Sequence, residues 1–159
     1  MPSLLKRVML RTINFWPPYL GAGIRVTYRN ASLTAVDVEM KLRFWNRNYV
    51  GTHFGGSLYS MIDPFFMLML IENLGPGYIV WDKAATIRFR KPGRGKVRAE
   101  FRLSDDQLAR IRRDAAEREK LEPAFLVQIK DEQGEVVAEV EKLLYVRKHR
   151  GKREGVGTA

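Results

Sequence analysis

The chain has 159 residues, which is enough for one domain with a sizeable core and too few for two domains with cores of that size. It has no cysteine, so disulfides and thiolate metal sites are excluded, and its two histidines argue against a histidine-rich metal cluster or a Ser-His-Asp triad. The formal net charge is +10, a balance that attracts polyanions such as nucleic acid, acidic lipid or a phosphorylated ligand.

Residues 1–20 have the pattern of an amphipathic helix. Apolar side chains recur there at helical spacing, opposite three basic ones, at Leu4, Leu5, Val8, Met9, Ile13 and Trp16. Pro17-Pro18 is expected to end this helix, which we expect to pack on the domain or on a partner subunit. A mitochondrial presequence is the open alternative. No long apolar core follows the basic residues, so we expect no secretion signal and predict a cytoplasmic protein.

Six later segments alternate between apolar and polar residues, which predicts strands with one buried face and one solvent-exposed face. They span residues 24–29, 36–44, 85–90, 96–103, 125–129 and 138–145. Such alternation is typical of an antiparallel sheet. The segments KPGRGK and KDEQGE, at 91–96 and 130–135, are predicted hairpin connections because of their proline and glycine content.

A charged helix is predicted between Ser104 and Glu122. Ser104 followed by Gln107 fits a capping box, and the few apolar residues of this segment suggest a surface helix between two strands. We therefore predict one domain over residues 21–148, with this helix inserted at 104–122, followed by a basic flexible tail over 149–159.

Residues 56–74 are apolar nearly all round, which predicts a helix surrounded by protein. The apolar run after Asp63, Pro64–Ile71, is much shorter than the roughly 20 residues of a membrane helix, so no integral membrane segment is expected. One antiparallel sheet of about six strands wrapped around this helix would bury every apolar face, which makes the predicted fold class α+β. Pro64 predicts a kink near Ser60–Pro64 or the start of a second helical segment.

The stretch NYVGTHFGGSLYSMID, residues 48–63, resembles the active-site segment of hotdog-fold acyl-CoA thioesterases of the phenylacetate-pathway branch. Five residues stand in that family's motif positions, namely Asn48, Gly51, Gly55, Gly56 and Asp63. The segment TIRFRKPGRGKV resembles the strand, turn and strand that follow the helix there. The whole chain also resembles an uncharacterised thioesterase-like hotdog family with the same inserted charged helix and the ending GEVVAEVEKLLYV.

The resemblance implies a hotdog fold and the hydrolysis of an acyl-CoA thioester. Asp63 would be the general base or nucleophile, the Gly55 N–H the oxyanion donor and Asn48 the orienting group, while Asp82 would assist the water. The substrate would also contact Gly51, His53, Phe54 and Gly56. The family's sites form between two subunits of a homo-oligomer, and they need no metal or redox cofactor.

A basic cluster near the predicted turn at 91–96 suggests a place for the coenzyme A phosphates. Its members are Arg88, Arg90, Lys91, Arg94 and Arg98, of which we single out Arg90 and Arg94 for substrate binding.

Two departures from the family pattern favour a non-catalytic protein that binds acyl-CoA or lipid. Phe54 stands where the family usually has histidine, with His53 displaced by one position, and Pro64 interrupts the helix beside Asp63. Gly55-Gly56 can also be read as a tight turn, and Asp63 as a structural carboxylate. A nucleic-acid-binding protein is a further alternative that rests on charge alone, because the sequence has no recognition motif, and we expect no nucleic acid as a partner.

Overall fold

The N-terminal part of the described chain contains a proline-initiated helix. The computed structural model describes residues 12–149, so the predictions for residues 1–11 and for the tail after His149 lie outside the described residues. A 3₁₀ turn at Ile13–Phe15 is followed by helix α1, Pro17–Ala22. Pro17-Pro18, which we expected to end a helix, starts one, and most of the helix expected before the pair lies outside the described residues. Proline is tolerated in the first helical turn because the N–H that it lacks has no partner there.

Six antiparallel strands form one sheet. Their bounds are Ile24–Arg29 (β1), Ala35–Lys41 (β2), Tyr78–Phe89 (β3), Lys96–Arg102 (β4), Ala124–Asp131 (β5) and Val136–Lys148 (β6). Their order in the sheet is β1-β2-β4-β5-β6-β3. The alternating apolar residues of each central strand face the core, as in β2 and β4, where Val38 and Ala99 are register partners and both are buried.

Two strands differ in length from the prediction. β3 begins at Tyr78 rather than near residue 85, because its first residues lack the apolar–polar alternation on which the prediction rested. β2 ends at Lys41 rather than near Phe44. The chain turns there because Asn46 closes a loop, its Oδ1 accepting the Arg43 N–H at 2.7 Å.

The central helix is broken at the predicted place. Helix α2 spans Gly55–Ser60 and helix α3 spans Phe65–Leu74, with Pro64 as the N-cap of α3. Pro64 has no N–H to donate to the carbonyl of Ser60, and the chain makes a turn over residues 61–64 before the helix resumes. The prediction of a break at Pro64 is confirmed.

Aromatic packing fixes α3 against the concave face of the sheet. The ring of Phe66 stacks on Phe125 of β5 at a centroid distance of 4.4 Å, and the ring of Phe65 lies 4.8 Å from that of Phe101 of β4. Both α3 rings are buried. A sheet wrapped around a buried central helix confirms the predicted α+β hotdog fold.

The inserted helix α4 spans Asp105–Glu117 and has the predicted capping box. The Gln107 N–H donates to Ser104 Oγ at 3.2 Å, and the Ser104 N–H donates to Gln107 Oε1 at 2.9 Å. Its few apolar side chains are buried against the domain. Among residues 12–149, no helix is both long enough and apolar enough to cross a membrane.

Candidate active site

Four polar side chains meet beside the break in the central helix. The ammonium of Lys142 lies 3.0 Å from Asp63 Oδ1, 2.9 Å from the backbone carbonyl oxygen of Asp63 and 2.9 Å from Asp82 Oδ1. Its fourth neighbour is the Tyr59 hydroxyl at 3.2 Å, which in turn donates to Asp63 Oδ1 at 2.8 Å. The structure thus brings together two of the predicted site residues, Asp63 and Asp82, around a lysine.

Lys142 is the residue that the sequence prediction missed. It lies in β6 and has no exposed surface, like Val140 and Leu144 on either side of it. Burial lowers the pKa of a lysine, but the carboxylates of Asp82 and Asp63 outweigh burial here, so the pKa of Lys142 is raised. The sequence does contain a signal for it: every second residue in the middle of β6 points inward and is apolar, except that Lys142 stands between Val140 and Leu144.

The Asp63 carboxylate is oriented on one side and open on the other. Oδ1 is held by Tyr59 and Lys142, whereas Oδ2 has no hydrogen-bond partner among the described residues. The side chain is 48% exposed in the isolated protomer. A carboxylate with one anchored and one open oxygen is suited to accept a proton from a bound water.

Asp82 and Tyr59 have shifted pKa values for related reasons. Burial raises the pKa of Asp82, the charge of Asp63 adds to this increase, and Lys142 partly offsets it. The Asp82 contact with Lys142 is an ion pair rather than an aligned hydrogen bond. The pKa of Tyr59 is raised by burial and by its hydrogen bond to Asp63, so its hydroxyl serves as a donor at neutral pH.

A buried tyrosine hydroxyl lies close enough to this cluster for the charge of Asp63 to affect its pKa. Tyr19 of α1 is 1% exposed, and its hydroxyl has no hydrogen-bond partner among residues 12–149. Burial raises its pKa strongly, and the charge of Asp63 contributes to the increase. The sequence prediction assigned Tyr19 no role, since it read α1 only as the end of an amphipathic segment.

The loop before α2 is held by Asn48. Its Nδ2 donates to Thr52 Oγ1 at 2.9 Å and to the His53 carbonyl at 3.3 Å, and its Oδ1 accepts the Thr52 N–H at 2.9 Å. Gly51 adopts a φ of 78°, a left-handed conformation that favours glycine. Both Nδ2 hydrogens and one Oδ1 lone pair of Asn48 are therefore taken up by hydrogen bonds within the loop. A contact between this side chain and a substrate would have to use the second Oδ1 lone pair.

His53 connects this loop to the turn between β3 and β4. Its N–H donates to the Gly93 carbonyl at 3.0 Å, and its Nε2 lies 3.1 Å from the Gly95 carbonyl oxygen. The side chain is buried, and burial lowers its pKa despite the contact with Gly95. His53 therefore has a clear structural role, and the turn that carries Arg94 is fixed beside the start of α2.

Two phenylalanine rings explain the glycine pair at the start of α2. A Cβ at Gly55 would lie 2.9 Å from the ring of Phe89, and a Cβ at Gly56 would lie 2.5 Å from the ring of Phe54. A larger residue at either position would have to displace one of these two exposed rings. Phe54, in the position of the family's histidine, folds back over Gly56, and its side chain is still more than half exposed.

The predicted basic cluster is largely neutralised within the protomer. Arg90 pairs with Glu139 at 2.5 Å, and Arg98 pairs with Asp37 at 2.6 Å. Lys91 contacts Asp131 and Glu135. Arg94 is exposed and has no carboxylate within ion-pair distance among residues 12–149. Of the two arginines singled out from the sequence, Arg94 is the freer to bind an anion.

An apolar groove of about 440 Å³ has Pro64, the residue after Asp63, in its wall. It runs between the N-terminal segment and α3 and is lined by Thr12, Ile13, Phe15, Trp16, Pro17, Pro64, Met67 and Leu68. Its walls have the chemistry needed for a hydrocarbon chain. Within residues 12–149, no group of three or more histidine, cysteine, aspartate or glutamate side chains is arranged to hold a metal ion.

Solved structures with the same fold include proteins named as thioesterases. A Pseudomonas aeruginosa protein of unknown function, named a probable thioesterase, is 28% identical to this chain, and the match covers 94% of this chain and 97% of that one with a TM-score of 0.78. A provisionally named thioesterase of Shewanella oneidensis is 21% identical over 92% and 99% of the two chains, with a TM-score of 0.65.

A more distant similarity supports the same fold. A thioesterase of Haemophilus influenzae is 15% identical over 87% of this chain and 88% of that one, with a TM-score of 0.63. A search among curated proteins found no match.

The sequence itself assigns the chain to a family. The family model described as a domain of unknown function, DUF4442, matches residues 5–146, which is most of the chain. The protein is therefore a member of the DUF4442 family, with the hotdog fold found in proteins named as thioesterases.

Proposed function

We propose that the protein is an acyl-CoA thioesterase, which hydrolyses an acyl-CoA thioester to the free acid and coenzyme A. The main observation behind this proposal is Asp63, whose Oδ1 is anchored by Lys142 and Tyr59 while its Oδ2 has no hydrogen-bond partner among the described residues; the next residue, Pro64, lines an apolar groove. The names of the structural relatives support the same reaction class.

In the proposed reaction, Asp63 Oδ2 takes a proton from a water as that water attacks the thioester carbonyl. The tetrahedral intermediate then expels the coenzyme A thiolate, which receives the proton, and the acid is released. Direct attack by Asp63, followed by hydrolysis of the resulting anhydride, uses the same carboxylate. Lys142 and Tyr59 act as positioning residues because they restrict the orientation of Asp63.

The oxyanion of this intermediate needs donors, and the start of α2 supplies them. The N–H groups of Gly55 and Gly56 belong to the first helical turn and have no intrahelical acceptor. In comparable sites, the loss of one such donor costs about 2.7–4 kcal/mol in the barrier. We assign Gly55 to this role, Asn48 to orienting the carbonyl or water, and Asp82 to assisting the water.

The two ends of the proposed substrate fit two different surfaces. The apolar groove beside Pro64, with Met67 and Trp16 in its walls, suits the acyl chain. Arg94, at the turn that His53 fixes, suits the coenzyme A phosphates, since exposed arginines bind phosphate through paired hydrogen bonds. Gly51, Phe54 and Gly56, which we also assign to substrate contact, belong to the loop and helix start that His53 joins to this turn.

We further propose that the site is completed by a second subunit. β3 is an edge strand of 12 residues, and many of its side chains are exposed on both faces. Edge strands of this length and apolar content are normally covered. Pairing of β3 with its copy would bring the Gly55 and Asn48 of one subunit toward the Asp63 of the other.

A non-catalytic acyl-CoA or lipid-binding protein is the second candidate. The observation that favours it is the pair of phenylalanine rings over the glycines at the helix start, since the ring of Phe89 lies against Gly55, where the proposed reaction places the thioester carbonyl. In this case the groove and the basic turn bind ligand, and the carboxylate is structural.

Two measurements on one panel of ligands separate the candidates. Free-thiol release is followed with short, long and aromatic acyl-CoAs, and binding of the matching non-hydrolysable thioethers is measured by calorimetry. Turnover above the buffer rate for at least one acyl class supports the enzyme. Binding without turnover supports the second candidate, and neither binding nor turnover contradicts both.

A further inference from the structure

The exposed apolar side chains of the protein are concentrated on two segments. Among residues 12–149, eight large ones lie on the N-terminal segment and on the loop between β2 and α2. One of them, Phe54, folds over Gly56, and we call the other seven the aromatic face: Phe15, Trp16, Leu20, Phe44, Trp45, Tyr49 and Val50. Phe44 is 78% exposed, and Tyr49 is fully exposed. Single exposed apolar residues are common on soluble proteins, but a concentration of this kind marks an interaction surface.

Asn46 holds the two segments side by side. Its Nδ2 donates to the Ala22 carbonyl at the end of α1 at 2.9 Å and to the Lys41 carbonyl at 3.0 Å, while its Oδ1 accepts the Arg43 N–H. Asn46 is itself buried. Phe44 and Trp45 flank this junction, and their rings pack edge to face at 5.0 Å. The two segments that carry the aromatic face are therefore held together by the hydrogen bonds of Asn46.

The charge around the aromatic face has one sign. Three exposed basic residues lie on the loop or at its start and have no carboxylate partner within residues 12–149, namely Lys41, Arg43 and Arg47. Arg43 lies over the Trp45 ring at 5.2 Å. From Met1 to Ile62 the sequence has only two acidic residues, Asp37 and Glu39. Both form ion pairs with β4, to Arg98 and Arg102 and to Lys96 respectively.

We propose that the aromatic face docks on the surface of an anionic lipid bilayer. Tryptophan, tyrosine and phenylalanine rings insert at the level of the lipid headgroups, and nearby arginines and lysines bind the negative surface. The attachment is peripheral, because it uses side chains and no spanning helix. The proposal uses none of the residues of the Lys142 cluster, and of the aromatic face only Phe15 and Trp16 also line the groove assigned to the acyl chain. The vesicle test therefore relies on Phe44, Trp45, Arg43 and Arg47, which do not line that groove.

Charge complementarity favours a bilayer over a second copy of the chain. In a two-fold contact through the aromatic face, Arg43 and Arg47 of both copies would be brought together without an acidic residue between them, and such like-charge contacts oppose association. An anionic bilayer removes this repulsion and accepts the aromatic rings in the same contact. The sequence before Thr12 adds Lys6, Arg7 and Arg11 and no acidic residue.

Vesicle flotation tests this proposal with the full chain. We expect binding to phosphatidylcholine vesicles that contain phosphatidylglycerol, weak binding to phosphatidylcholine alone, and a decrease at high salt. Arg43→Gln/Arg47→Gln should weaken binding about fivefold for each charge removed. Phe44→Ser/Trp45→Ser should weaken it by about tenfold. The control is Leu126→Ser, at an exposed apolar site on β5, which should leave binding unchanged.

Two results would overturn the docking proposal. One is equal binding to neutral and anionic vesicles, or no binding to either. The other is a Phe44→Ser/Trp45→Ser protein that binds vesicles like the Leu126→Ser control but has a lower mass by light scattering, which would assign the aromatic face to a contact between copies. Circular dichroism of each variant confirms that it is folded before the comparison is made.

Discussion

Lys142 is a buried cation that joins two carboxylates from different elements. It contacts Asp63, at the break between α2 and α3, and Asp82, in β3. A buried ammonium is tolerated only when it is paired and hydrogen-bonded, and here four oxygen atoms surround it. The same contacts therefore stabilise the fold and orient the proposed base.

Replacement of Lys142 tests this double role. Lys142→Met removes the cation and leaves two carboxylates facing each other, so we expect a loss of about 3 kcal/mol in the free energy of unfolding. The matched control is Lys148→Met on the same strand, where the side chain is exposed and the loss should be small. Urea unfolding measures both. Equal stabilities of the two variants would show that the Lys142 ion pairs contribute nothing.

The residues of the cluster were predicted only in part. Asp63 and Asp82 were predicted because the resemblance covers their positions. Lys142 and Tyr59 were not predicted. Lys142 lies in a strand whose residues alternate between apolar and polar, and Tyr59 lies in a helical segment that is apolar on nearly all sides, so neither residue stood out in the sequence. Their contacts join residues 83 and 79 positions apart, and periodicity along the sequence carries no information on such pairs.

At the scale of elements, β2 and β4 are joined on the outer face of the sheet by Asp37. Its carboxylate accepts from Arg98 at 2.6 Å and pairs with Arg102 at 2.7 Å. Burial raises the pKa of this carboxyl, but hydrogen bonds and charge from Arg102 and Arg98 outweigh burial, so its pKa is lowered. A carboxyl with a lowered pKa in the folded state stabilises the fold above its unfolded pKa of about 3.9.

This link predicts a pH-dependent difference between the wild type and Asp37→Asn. At neutral pH the variant should be about 2 kcal/mol less stable, because it loses charge-assisted hydrogen bonds in a buried position. The difference should shrink as the pH falls from about 3.9 through the lowered pKa, since the wild-type carboxyl then takes up its proton. Urea unfolding across this range measures it, with Glu119→Gln as an exposed control. A difference that is constant with pH contradicts the assignment.

The boundaries of helices and strands could be predicted from the sequence where they depend on residues close together in the chain. The break at Pro64 and the capping box of Ser104 and Gln107 were predicted correctly because each depends on residues within one turn. The start of β3 at Tyr78 and the end of β2 at Lys41 were not. Both depend on tertiary contacts, with β6 in one case and with Asn46 in the other.

At the scale of the whole molecule, the fold leaves one long edge uncovered. Within the described part of the chain, β3 pairs with β6 and with no other strand, and its exposed side chains include Trp81 and Phe89. The sequence predicted a homo-oligomer through the resemblance, and the uncovered edge supports that proposal. The hotdog fold itself was predictable, because six half-apolar strands and one wholly apolar helix have few other ways to bury their apolar faces.

Light scattering tests the proposed pairing of β3. We expect a solution mass of two or four times the 18.4 kDa of the chain. Ala84→Lys/Ala85→Lys places a charge on each face of the exposed strand and should reduce the mass, whereas Leu126→Lys on β5 should not. A wild-type mass of a single chain at micromolar concentration would contradict the shared site.

The most direct test of the account is thioester hydrolysis by Asp63→Asn, measured beside Asp106→Asn, an exposed aspartate of α4. With the best substrate of the panel, we predict that Asp63→Asn lowers kcat by about 10²–10⁴-fold, the usual contribution of a general base, while thioether binding is kept. Asp106→Asn should match the wild type. Undiminished turnover by Asp63→Asn would contradict the assignment of this carboxylate as the group that performs the reaction.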